Sequence, residues 1–184
     1  GVMGEFDVQI MAELFGGSAM AKALAPAWRG GLYYAAQRKA AKTSPAQDST
    51  ASLATLYLSR WATSQAAEAF AGMYAREIPR KYDHAMAVPD EDSDSDHAVS
   101  TTRTWNTSEG PVLIAVSGKT VCISESFPMG LARKLEFVMM GSSADSATST
   151  SALAEMPRRD LTAELRHTLF TVTALQGNYG LTVY

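Results

Sequence analysis

Between Glu5 and Phe15 the apolar positions recur at helical spacing. Phe6, Ile10, Met11, Leu14 and Phe15 share one stripe, and Glu5, Asp7, Gln9 and Glu13 fall mostly elsewhere. This predicts an amphipathic helix that stops at Gly16-Gly17, after which Ser18 caps a second, Ala-rich helix running to Ala25, where Pro26 ends regular hydrogen bonding. Beyond Trp28-Arg29-Gly30-Gly31 the character changes. Leu32 to Gln37, rich in aromatics, predicts a strand. The polar stretch from Lys42 to Thr50 is a connecting loop, and Leu53 to Trp61 is a second strand that pairs with the first as an antiparallel hairpin. Thr63 or Ser64 then caps a helix whose Ala67, Phe70, Ala71, Tyr74 and Ile78 repeat at three- and four-residue steps, with Pro79 bending or fraying its last turn.

Three short strands follow, around Arg103 to Thr107, from Val112 to Ser117 and from Lys119 to Glu125, with Ser117-Gly118 read as a two-residue turn between the last two. Pro128 and Gly130 introduce a helix carrying Leu131, Leu135, Val138 and Met139 on one face and ending at Gly141. The predicted organisation is an α+β domain over residues 1–141, a Ser/Ala/Thr-rich linker over 142–155, and a C-terminal helix and strand segment over 156–184. In that last segment Asp160 caps a helix with Leu161, Leu165 and Leu169, and strands are expected at Phe170 to Leu175 and Leu181 to Tyr184. Whether the segment joins the first domain stays open. The element order favours a mostly antiparallel sheet with helices packed mainly on one face over a doubly wound arrangement.

Composition narrows the function classes. The chain has 184 residues, 46% hydrophobic and 19% charged, which suits one medium domain or two small ones. A formal charge of -3 without a basic patch argues against nucleic-acid binding. No apolar run is long enough to suggest a membrane span. The start at Gly1 reads as a processed chain or an excised piece. Many Ala, Ser and Thr with low charge lean toward an exported protein, and the compartment is otherwise undetermined.

No catalytic constellation emerges, and no cofactor or metal is expected. The three histidines, His84, His97 and His167, lack the spacing of a zinc helix, and the single cysteine, Cys122, admits neither an internal disulfide nor a Cys-based zinc site. Cys122 sits in Val121-Cys122-Ile123 and reads as a small core hydrophobe. The acidic run over 90–96 has Asp at alternate positions like a calcium loop, but it lacks the sixth-position glycine and the twelfth-position glutamate, so it reads as a solvated loop. Gly16-Gly17 and Gly30-Gly31 fit no phosphate-binding fingerprint and read as helix-stop and turn positions. The remaining candidates are large aromatic and polar groups where strands end. Trp28, Arg29, Tyr33, Trp61 and Trp105 are the candidate binding residues, with the three tryptophans lining an aromatic groove or, structurally, closing the ends of a sheet.

The phrases GEFDVQIMAELFGG, AWRGGLYY, LYLSRWATSQAAEAF and GKTVCISESFP, in this order, cover about residues 1 to 140. They resemble the C-terminal half of a group of uncharacterised bacterial proteins, seen especially in acidobacteria, whose N-terminal half resembles a zinc-dependent peptidase with an HExxH helix. Gly4-Glu5-Phe6 takes the opening phrase of that pattern, and Trp28 with Gly30-Gly31 takes its GWGG turn, with Leu32 in place of an aspartate. Trp61 and Thr63 take two positions of a WDT phrase, with Ala62 where an acid is usual, and Ala67-Glu68-Ala69-Phe70 fits its helical end. The HExxH half is absent from this sequence, so peptidase activity does not carry over. The resemblance implies a non-catalytic accessory or interaction domain of a larger envelope or secreted protein, whose partner is a peptidase-like domain or another protein. An alternative is a small-molecule-binding protein or enzyme with a pocket between the sheet and the opening helices, assembled from groups such as Arg29, Tyr33, Tyr34 and Glu125. A homo-oligomer stays open.

Overall fold

The computed structural model describes residues 1–38, 50–89, 100–140 and 181–183. In chain order the elements are β1 (Val2–Met3), α1 (Glu5–Leu24), a 3-10 turn (Ala25–Ala27), β2 (Trp28–Arg38), a second 3-10 turn (Thr50–Ser52) and β3 (Leu53–Trp61). Then come α2 (Ser64–Lys81), β4 (Ala85–Val88), β5 (Ser100–Thr107), β6 (Gly110–Ser117), β7 (Thr120–Glu125), α3 (Met129–Met140) and β8 (Leu181–Val183). The strands form one antiparallel sheet in the order β1-β2-β3-β7-β6-β5-β4, and β8 pairs with β2. This is the α+β architecture, with a mostly antiparallel sheet, that the hydrophobic pattern predicted.

Sheet registers explain how the layers form. On β3, Tyr57 and Trp61 face α1 and α2, joining Val112, Ile114, Val116, Val121 and Ile123 in one cluster with Val8, Ala12, Phe70, Met73 and Ile78 of the helices. Alternate residues, Ala54, Leu56, Leu113, Ala115 and Cys122, turn to the opposite face and meet Leu131, Ala132 and Leu135 of α3, with Phe127 buried just before it. Two of the three helices therefore share a face, and the third covers the other. This is why Val112 to Val116 and Val121 to Glu125 are buried without interruption, since strands covered on both faces lose the alternation of a half-exposed strand.

Local chemistry accounts for most boundaries. Gly17 is non-helical, with φ of 77°, so α1 is broken where the glycine pair predicts it, into two helical segments joined at a kink. Thr63 caps α2 by accepting a hydrogen bond from the Ala66 amide at 3.1 Å. Pro79 lies inside α2 and does not end it, since the helix runs on to Lys81. The β6–β7 hairpin differs by one residue from its prediction. Ser117 pairs with Thr120, so the turn is Gly118-Lys119, with the positive φ that glycine tolerates at its first position. β1 and β4 are too short to leave a sequence signal.

The most consequential departure is on α1. The predicted stripe divides: Met11 and Phe15 pack against the core beside the buried Val8 and Ala12, while Phe6, Ile10 and Leu14 face solvent. On α3, Leu131 and Leu135 are buried as expected, but Val138 is exposed and Met140 takes a core position. The acidic run over 90–96, the linker over 142–155 and the helix carrying Leu161, Leu165 and Leu169 lie outside the described residues.

Two glycines test the turn geometry. Gly110 has φ of 128°, and a Cβ placed there would lie 3.1 Å from Ser126 Cα, whereas Gly118 has φ of 54° and open space around it. Gly110→Ala should cost roughly 2–3 kcal/mol of unfolding free energy and Gly118→Ala about 1 kcal/mol, read from urea denaturation midpoints.

Candidate functional site

Of the five residues expected to bind, the fold gathers the three tryptophans in or against one buried cluster and leaves Arg29 and Tyr33 exposed. Trp28 and Trp61 face each other across β2 and β3, but Trp61 is 1% exposed and stacks at 4.7 Å on Phe70 of α2, and Trp105 is 8% exposed in the same cluster. Trp61 and Trp105 are core residues, Trp61 lying against Phe70 of α2, and Trp28 is partly buried against the same cluster. Arg29 is the extra residue where the β2–β3 register shifts, and its guanidinium folds back to donate to the Pro26 and Trp28 carbonyls at 2.8 and 2.7 Å. It is exposed, but these bonds serve the backbone turn. Tyr33 is partly exposed and lies against Gly1, whose amino group donates to the Tyr33 carbonyl at 2.8 Å. Tyr34 packs with the α3 face and Glu125 with α2, so the groups weighed for a pocket do not converge.

Glu125 does gather a polar constellation of its own. It ends β7 facing α2, 5% exposed, and its Oε1 accepts from Tyr74 at 2.5 Å while its Oε2 accepts from Lys81 Nζ at 2.5 Å and from Tyr82 at 2.7 Å. Tyr74 and Lys81 stand two turns apart on α2, and Tyr82 is the extended residue that follows its last turn. That spacing is the available sequence signal, though nothing local points it at a residue beyond three intervening strands. Burial and the adjacent Glu125 carboxylate push both tyrosine hydroxyls well above their ordinary value, so they stay neutral donors. With both oxygens occupied, the carboxylate is poorly placed to take a proton from a substrate. The cluster ties the end of α2 to β7.

Two other chemical groups are internal. Cys122 is fully buried among the α3-facing apolar residues, and burial pushes its thiol up to about 12, which removes it as a nucleophile. Tyr57 is buried beneath α1, where its hydroxyl and the Trp28 indole nitrogen both lack a hydrogen-bond partner of good geometry among the described residues. Burial raises the Tyr57 hydroxyl as well. Among the described residues no group of His, Cys, Asp and Glu is arranged to hold a metal ion. No helix among them is long and apolar enough to cross a membrane.

Large apolar side chains are also exposed, among them Phe137 and Val138 on α3 and a row of three on α1. Phe6, Ile10 and Leu14, exposed by 70%, 45% and 75%, stand at i, i+4 and i+8 on the outer side of α1. With Gln9 and Glu13 they line an open groove of about 200 Å³. This is below the 300 Å³ or so at which small-molecule pockets begin, and it suits inserted side chains better than a free ligand. The parallel row Glu5, Gln9 and Glu13 runs beside it. Asp7 flanks its other side, where its carboxylate accepts from the Gly4 amide at 2.7 Å and lies at the favourable, positive end of the helix dipole. Sequence periodicity found these three residues but assigned them to the core.

Three outcomes check this account. Glu125→Ala should cost roughly 3 kcal/mol in urea unfolding, because Tyr74 and Tyr82 lose their acceptor, and Lys81→Met should cost about 2 kcal/mol, because it leaves the buried Glu125 carboxylate without its counter-charge. Cys122 should react with a thiol reagent only at the rate of global unfolding. Unfolded cysteine and tyrosine ionise at their ordinary values of 9.0 and 10.0, whereas the fold holds Cys122, Tyr74 and Tyr82 protonated beyond them. Their contribution to stability is therefore complete below pH 9 and declines as pH rises through 9 to 12, and Cys122→Ala should flatten the first part of that decline in a denaturation series. No protein-family model, curated protein or solved structure matches the chain.

Proposed function

We propose that this chain is a non-catalytic interaction domain that docks on a partner protein through the outer face of α1, the partner being a peptidase-like domain of the kind implied by its resemblance. The observation that carries this reading is the exposure of Phe6, Ile10 and Leu14 above a core already filled by Val8, Ala12, Phe70 and Met73. A folded domain loses several kcal/mol by leaving three large apolar side chains in water, and covering them is a source of binding energy. The polar groups support the same view. Glu125, Tyr74, Tyr82 and Lys81 are bound to one another, and Cys122 is held as a buried thiol.

A pocket between the sheet and the opening helices has less support, since Val8, Ala12, Ala21 and Leu24 meet Tyr57, Trp61 and Phe70 there in a continuous cluster. The test is a solution-mass measurement of this chain mixed with an HExxH peptidase-like domain of the proteins it resembles. A one-to-one complex is expected, weakened at least tenfold by Ile10→Asp, a change that should leave the melting temperature within a few degrees because Ile10 lies outside the core. Absence of association, or a complex indifferent to Ile10→Asp, overturns the reading.

A further inference from the structure

Resting on that docking face, we infer that the element it receives is an amphipathic helix of another protein whose apolar ridge is bordered by Lys or Arg. Phe6, Ile10 and Leu14 span two helical turns, roughly 12 Å at 1.5 Å per residue, which presents three anchor positions to a facing helix. The groove between this row and Gln9 and Glu13 accepts apolar side chains repeating at the same step. Its border supplies the charge argument. Glu5 and Glu13 have no ion-pair partner among the described residues, and Asp7 adds a third carboxylate on the other side. The cation on the same helix, Lys22, lies beyond the break at Gly17.

The same charges weigh against two other occupants. A second copy paired antiparallel about Ile10 would set the acids of one α1 against those of the other, at a cost that grows as the interface excludes water. An anionic bilayer would meet the same carboxylates and repel them. A helix edged with cations meets apolar with apolar and negative with positive.

The experiment titrates the full chain into two fluorescent amphipathic helical peptides with the same leucine ridge, one bordered by lysine and one by glutamate. The lysine peptide should bind at least tenfold more tightly, and the advantage should shrink as salt rises. Glu5→Lys with Glu13→Lys should reverse the preference, and Phe6→Ser with Leu14→Ser should abolish binding of both peptides while thermal melting is retained. Equal affinity for the two peptides, binding of neither, or a preference unchanged by charge reversal overturns the inference. So does α1-dependent self-association in sedimentation, which names a second copy, or Phe6-dependent binding to phosphatidylglycerol vesicles, which names a membrane. If both peptides bind alike while Ile10→Asp still breaks the complex with the peptidase-like domain, the charge inference fails and the docking face stands.

Discussion

Strands β6 and β7 must be kept from water on both faces, and the other elements are placed by that need. Val112 to Val116 is an unbroken apolar run whose odd and even members point to opposite sides of the sheet, so a single helical layer would leave half of it wet. α1 and α2 cover one side and α3 the other. The polar consequence appears at the end of β7, where Glu125 lies beneath α2. A carboxylate covered in this way is tolerable only with its charge and acceptors satisfied, and Tyr74 and Lys81 of the covering helix do that together with Tyr82 at its C-terminal end. The layer that buries the charge also supplies its partners.

Charge and apolarity are thus distributed unevenly among the described residues. Glu125, Tyr74, Tyr82 and Cys122 are committed internally, and Phe6, Ile10 and Leu14 stand outside on α1 with acids beside them. The inner sector of α1 is already filled. Val8, Ala12, Ala21 and Leu24 are buried there with Met11 and Phe15 packed beside them, and α2 answers with Ala67, Phe70, Ala71 and Met73, while the Phe15 and Tyr74 rings meet edge-on at 5.8 Å. Phe6, Ile10 and Leu14 lie on the other side of the helix, away from that contact.

This is also where the sequence was least legible. Periodicity reports that apolar residues share an angular sector; it does not report which sector faces inward, and α1 is apolar over much of its circumference. Phe6, Ile10 and Leu14 together outweigh Val8 and Ala12 in apolar surface, so periodicity alone places the stripe in the core. Where the chemistry is local the sequence is legible: Thr63 caps α2, Gly17 breaks α1, the β2–β3 hairpin pairs as its spacing implies, and the β6–β7 hairpin forms with its turn one residue later than expected. The Glu125 cluster was missed because its members belong to distant parts of the chain and each looks ordinary in its own neighbourhood. The tryptophans were noticed as large, but size alone does not separate a groove wall from a core plug.

The strand order carries a consequence for how the chain reaches its native state. β3 sits between β2, its immediate predecessor, and β7, which arrives only after α2 and three further strands have been made. Until then one edge of β3 has no native neighbour, and Tyr57, Leu58 and Cys122 cannot close the middle of the sheet. The β4–β7 meander can assemble from near neighbours, whereas the β3–β7 seam requires closure of a long loop and comes late. A ribosome-bound N-terminal half would therefore hold an unfinished sheet, and cooperative folding would await release of the segment that carries Val121 to Glu125.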